Sequence, residues 1–131
     1  MKKSIQTQVA EWGAKAFSPG RYNNIVGRGD RFLEEVLELL QANGYPRERI
    51  PVLVDYTYGR PVGEPAQEVG GTVLTLAAYC NVIGVDMEAE AQREIDRVNQ
   101  PEVLAKIQAK QALKDAINFD TPLPGNAGAC L

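Results

Sequence analysis

From Val69 to Val85 the chain carries no charged residue, and Glu68 is the only one between Pro65 and Val85. The run is too long for a strand, and it is bounded by Pro65 at its start and Gly84 at its end, the usual asymmetry of helix termini. A helix is therefore predicted over Pro65–Ile83. Val69, Val73, Leu74, Leu76, Ala77, Cys80 and Ile83 leave few polar positions on it. A helix apolar on nearly every side is expected to be buried on most of them. Glu68, near its start, is then expected to be at least partly desolvated, and a homodimer or homotetramer is expected to cover what one chain cannot. The run is interrupted by Gly70, Gly71, Thr72, Thr75 and Asn81. It also falls short of the roughly 20 residues that a spanning helix needs, so no membrane contact is expected.

The remaining sequence also reads as helices. Ile5, Val9, Trp12, Ala16 and Phe17 recur at helical spacing behind Ser4, a good N-cap, and Ser18-Pro19-Gly20 ends that helix. Arg21 to Gly29 reads as a polar loop. Asp30 is then predicted to cap a helix over Arg31–Ala42, stopped by Asn43-Gly44. Shorter patterns predict helices over Glu48–Tyr58, over Met87–Val98 behind Asp86, and from Pro101 to about Ile117. No segment shows sustained strand alternation. The expectation is an all-α antiparallel bundle of four to five main helices, one domain over residues 1–117. A flexible C-terminal tail, 118–131, would follow, marked by Pro122, Pro124, Gly125 and Gly128.

Composition removes several function classes. The net charge is −3, against the basic footprint of a general nucleic-acid binder, so no nucleic-acid polymer is expected as partner. There is no histidine, which removes the commonest general base and the Ser-His and Cys-His nucleophile systems. The two cysteines, Cys80 and Cys130, have neither disulfide-framework nor zinc spacing, and Cys80 reads as a small core residue. MKKSIQTQVAEW has no apolar signal core, and a cytoplasmic location is expected. Any chemistry falls to carboxylates, Lys, Arg, Tyr and a hard metal ion.

The carboxylates are patterned. RFLEEVLELL contains EExxE. At about 100° per residue, Glu34, Glu35 and Glu38 fall within roughly a quarter of the helix circumference. Leu33, Val36, Leu37 and Leu40 take the other side. Clustered carboxylate oxygens are what hard divalent cations bind, yet a solvated face opposite a leucine stripe has the same appearance. Glu68 carries a similar ambiguity, as a desolvated ligand or as an acid in a first helical turn facing the dipole.

RFLEEVLELLQANGY followed by VDYTYGRPVGEPAQEVGGTVLTLAAYCNVIGVDM resembles the MazG-like group of all-α nucleotide pyrophosphohydrolases, over roughly Ser4 to Lys114. The resemblance implies hydrolysis of a nucleoside triphosphate, NTP or dNTP, to the monophosphate and pyrophosphate. Glu34, Glu35, Glu38 and Glu68 would hold Mg²⁺, with Mn²⁺ as a substitute. Glu35 or Glu38 would act as the catalytic base. One position departs from the family pattern: an aspartate is expected three residues after Glu68, and Gly71 stands there. Glu64 or Asp55 could replace it; otherwise the chain would be a catalytically impaired nucleotide-binding or regulatory oligomer. Candidate substrate-binding residues are Arg93, Arg97, Lys106 and Lys110 on the last two helices, with Trp12 available to stack on a base.

Overall fold

The structure, a computed structural model, describes residues 2–116. Among them are seven helices and no strand: α1 (Ile5–Ala16), α2 (Pro19–Tyr22), α3 (Ile25–Ala42), α4 (Arg49–Tyr58), α5 (Pro65–Ile83), α6 (Met87–Val98) and α7 (Pro101–Ala116). The all-α expectation holds. The expected tail, 118–131, and Cys130 lie outside the described residues.

Most boundaries follow local chemistry. Ser4 caps α1 by accepting from the Thr7 N–H at 3.1 Å. Pro65 opens α5, and Glu64 caps it, its carboxylate accepting from the Gln67 N–H at 2.7 Å. Gly84 closes α5 in the left-handed region at φ 73°, which favours glycine there. Asp86 caps α6, accepting from the Ala89 N–H at 3.0 Å.

The segment between α1 and residue 31 differs from the prediction. Arg21 to Gly29 is not a loop. Ser18 does not merely end a helix; its hydroxyl caps the single turn of α2, accepting from the Arg21 N–H. Asp30 is not an N-cap but lies inside α3, which starts at Ile25. Asn24 caps α3 instead, its side-chain oxygen accepting from the Gly27 N–H at 2.8 Å. Gly27 and Gly29 each weaken a helix by about 1 kcal/mol relative to alanine. Side-chain packing from Arg28 offsets this: its guanidinium lies over the rings of Phe17 and Tyr22, 4.8 and 5.5 Å from their centroids.

The chain divides into two compact units, one whose described part is residues 2–35 and 91–116, the other Val36–Glu90. In the first unit, Trp12 meets Phe17 edge-to-face at 5.3 Å, and Phe17 meets Tyr22 at 6.1 Å. Gly13 and Ala16 are buried, and a Cβ at Gly13 would be driven into the Tyr22 ring. Gln8 on α1 and Gln92 on α6 exchange two amide hydrogen bonds of 3.0 and 2.8 Å. Gln108 on α7 donates to the Lys15 carbonyl at 2.9 Å. Ile95 is also buried here.

The second unit contrasts with the first. Cys80 is buried, as expected of a small core residue, but it is the unit's only buried apolar side chain. Every residue from 51 to 76 is exposed. The expectation that α5 is buried on most sides, with Glu68 partly desolvated, is therefore not met within the chain. The α5 face bearing Cys80 is the covered one. Leu74 and Val82 lie on the other side, and Val82 is 86% exposed.

Candidate functional site

The carboxylates of EExxE sit on α3, and helical geometry keeps them on one face. Glu34 is half-buried, whereas Glu35 and Glu38 are exposed. Arg31, one turn earlier, binds two of them: it is ion-paired to Glu34, and its Nη2 donates to Glu35 Oε2 at 3.1 Å. A guanidinium between adjacent carboxylates relieves their mutual repulsion and fixes both side chains. The EExxE pattern predicts the three acids but not this base. The signal was present as RxxEE, which puts Arg31 at the i−3 and i−4 positions that face each glutamate on a helix.

Glu68 occupies the first turn of α5, where a carboxylate faces the positive end of the helix dipole. It is exposed, and its side chain folds back over Gly63, whose missing Cβ leaves the space. Glu64, one possible substitute for the absent aspartate, is engaged as the α5 N-cap. Asp55, the other, is exposed in α4. A Cβ at Gly71 would meet nothing closer than Glu68 Oε1 at 3.9 Å, so a side chain at that position is sterically tolerated. Among the described residues no three His, Cys, Asp or Glu side chains gather into a metal-ligand group. The donor chemistry nevertheless suits a hard cation: the acids on offer are carboxylates, and Glu35 and Glu38 are open to solvent.

The basic candidates are exposed on α6 and α7, where the sequence reading put them. Arg97 is held most firmly. It donates from Nε and Nη2 to Glu94 at 2.8 Å each. The hydrogen bond and then the charge of Glu94 raise the guanidinium's pKa, and Glu35 adds to the rise. In return the bond to Arg97 holds the Glu94 carboxyl below its ordinary value, outweighing an opposing contribution from burial. Lys106 and Lys110 lie along α7, and Arg93 lies one turn before Arg97. Trp12 packs edge-on against Phe17.

A second basic feature was not singled out from sequence. Arg28 lies one turn before Arg31 on α3. Burial lowers its pKa, Tyr22 opposes that shift, and the nearby charges of Arg31 and Arg21 add to it. Only the location of α3's true start reveals it, because a loop over Arg21 to Gly29 would scatter these arginines. Elsewhere, the open depression lined by Lys2, Lys3, Gln8, Glu11 and Gln92 contains none of the expected site residues. Its one carboxylate, Glu11, is ion-paired to Lys3 at 2.8 Å.

Comparison with known proteins finds no matching family model, no matching curated protein and no matching solved structure. No single helix among the described residues is long and apolar enough to cross a membrane.

Proposed function

We propose that the protein is a Mg²⁺-dependent nucleoside triphosphate pyrophosphohydrolase that cleaves an NTP or dNTP to the monophosphate and pyrophosphate. The observation that carries this reading is the carboxylate face of α3, where Arg31 is ion-paired to Glu34 and donates to Glu35, holding two oxygen donors suited to a hard cation side by side. The resemblance of the EExxE and GRPVGEPAQEVGG segments supports the same reaction.

By the resemblance, Glu34, Glu35, Glu38 and Glu68 would hold the cation, with Mn²⁺ able to replace Mg²⁺. When bound, it supplies charge that polarises the phosphoryl oxygens and offsets the negative charge of the triphosphate. Arg31 keeps Glu34 and Glu35 side by side. Glu35 or Glu38 accepts the proton of the attacking water. The water oxygen forms a bond to the α phosphorus, the bond from that phosphorus to the α–β bridging oxygen breaks, and pyrophosphate leaves. Arg93, Arg97, Lys106 and Lys110 neutralise the phosphates, and Trp12 supplies a surface for the base.

The test is pyrophosphate release from a panel of NTPs and dNTPs with Mg²⁺ or Mn²⁺. Glu35→Gln and Glu38→Gln should each lower the rate, by about 10²-fold or more for the one that takes the proton. No turnover of any nucleotide by the parent chain, or full activity in both variants, contradicts the proposal.

Gly71 favours one other reading, a nucleotide-binding or regulatory protein that lacks the chemistry. Calorimetry showing nucleotide binding without product would support it. The free space at Gly71 offers a direct comparison. On the enzymatic reading, Gly71→Asp supplies a further carboxylate beside Glu68 and tightens Mg²⁺ binding. Unchanged metal affinity in that variant would mean that the start of α5 is not part of a metal site.

A further inference from the structure

Arg28 is a cation that no carboxylate of its own unit neutralises. Its guanidinium lies over the rings of Phe17 and Tyr22, 4.8 and 5.5 Å from their centroids, and its Nε is buried without a hydrogen-bond partner. The ring faces attract the charge, but they supply no oxygen to its N–H groups. No ion pair joins Arg28 to a carboxylate among the described residues. No acid stands in the first turn of α3. Asp30 lies about 200° around the helix from Arg28, and its buried Oδ2 has no hydrogen-bond partner either. Glu34 and Glu35, the next acids along α3, are held by Arg31. Burial disfavours the Arg28 charge, Tyr22 favours it, and Arg31 and Arg21 disfavour it further. A half-buried charge without a counter-ion is costly, and an anion from solution would remove that cost.

A second donor shares the face. At about 100° per residue, Asn24 and Arg28 are one turn apart and separated by roughly 40°. The Asn24 side-chain oxygen accepts from the Gly27 N–H, which leaves its amide nitrogen, a donor, to meet a ligand. Asn24 is exposed and Arg28 half-buried, so a ligand can approach both from the surface. We propose that Asn24 and Arg28 form a binding site for a phosphate group. A carboxylate has two oxygens, which the guanidinium fork alone engages. A phosphate has oxygens left over for the Asn24 amide, and its second negative charge suits a site that also feels Arg21 and Arg31. Free phosphate and a phosphate ester share this chemistry. The site uses none of the carboxylates and stands whether or not they perform the reaction proposed above.

The test uses the full chain at constant ionic strength. Inorganic phosphate is titrated by calorimetry, beside glycerol 3-phosphate and acetate. Phosphate should bind, and acetate more weakly. Binding of inorganic phosphate but not of the ester assigns the site to the free ion. Equal or tighter binding of the ester assigns it to a phosphate carried on a larger molecule. Arg28→Gln should weaken phosphate binding by about 10-fold or more. Because Arg28 also packs on two rings and that variant could unfold, Asn24→Asp supplies an independent arm. Aspartate caps a helix as well as asparagine does, and here it gives Arg28 the carboxylate it lacks. Helix content by circular dichroism should match the parent, and the melting temperature should equal or exceed the parent's. Phosphate affinity should nevertheless fall by about 10-fold or more, because the new charge repels the ligand and occupies Arg28. Phosphate that binds Asn24→Asp as tightly as the parent overturns the proposal. So does acetate binding as tightly as phosphate, or no binding of phosphate to the parent chain at millimolar concentration.

Discussion

The two units solve the same problem in opposite ways. In the first, apolar and polar groups find partners within the chain: Trp12 on Phe17, Phe17 beside Tyr22, Arg28 over both rings, Gln8 against Gln92 and Gln108 against Lys15. In the second, the helices are more hydrophobic, yet residues 51–76 are all exposed. Hydrophobicity alone therefore does not make a core. What matters is whether a surface of matching size is within reach, and within the second unit residues 51–76 have none.

This contrast can be broken experimentally. The largest effect is expected from placing two charges on the outer side of α5, with Leu74→Asp and Val82→Asp together. Each buried aliphatic side chain contributes about 1.5–3 kcal/mol, and two copies each lose two of them, so the homo-oligomer expected from the sequence should fail to assemble and helix content should drop in circular dichroism. Equal assembly in parent and variant would mean that these positions face water. In the first unit, Gly13→Val forces a side chain into the Tyr22 ring and should cost about 1–3 kcal/mol in denaturant unfolding. Combining it with Tyr22→Ala should recover part of that loss, and strict additivity would show that the two residues do not meet.

A smaller effect belongs to Arg28. Its removal in Arg28→Ala takes a guanidinium off two aromatic faces and should lower stability by about 1 kcal/mol, with Arg28→Lys retaining part of it. The smallest comes from the exposed Glu94–Arg97 pair. Glu94→Gln should cost a few tenths of a kcal/mol. The folded-state pKa of Glu94 is depressed, so its contribution is present above the unfolded carboxylate value, about 4.3. That contribution disappears as pH falls through the folded value. Parent and Glu94→Gln thermal melts should therefore converge on acidification, and a gap that widened instead would contradict the assignment.

These regions were not equally legible in the sequence. The boundaries of α5 were set by Pro65 and Gly84, and Asp86 marked the start of α6, because such signals act within a few residues. The start of α3 was not legible. Gly27 and Gly29 argue locally for a loop, and the interaction that overrides them joins Arg28 to rings as far back as Phe17. Burial of α5 was misjudged for a related reason: apolarity favours covering a helix but does not supply the surface that would cover it. At the candidate site, the shared face of Glu34, Glu35 and Glu38 followed from helical periodicity. Arg31 carries the same kind of signal, since i,i+3 and i,i+4 spacing places it against Glu34 and Glu35. The expected approach of Glu68 had no local signature, since it depends on tertiary packing.

Concentration-dependent hydrogen exchange tests most directly whether α4 and α5 depend on a second copy. Amides of residues 51–76 should be protected at high protein concentration and lose protection on dilution, while those of α1 change little. Protection of 51–76 that stays the same across the dilution series in which the chain becomes monomeric would contradict it.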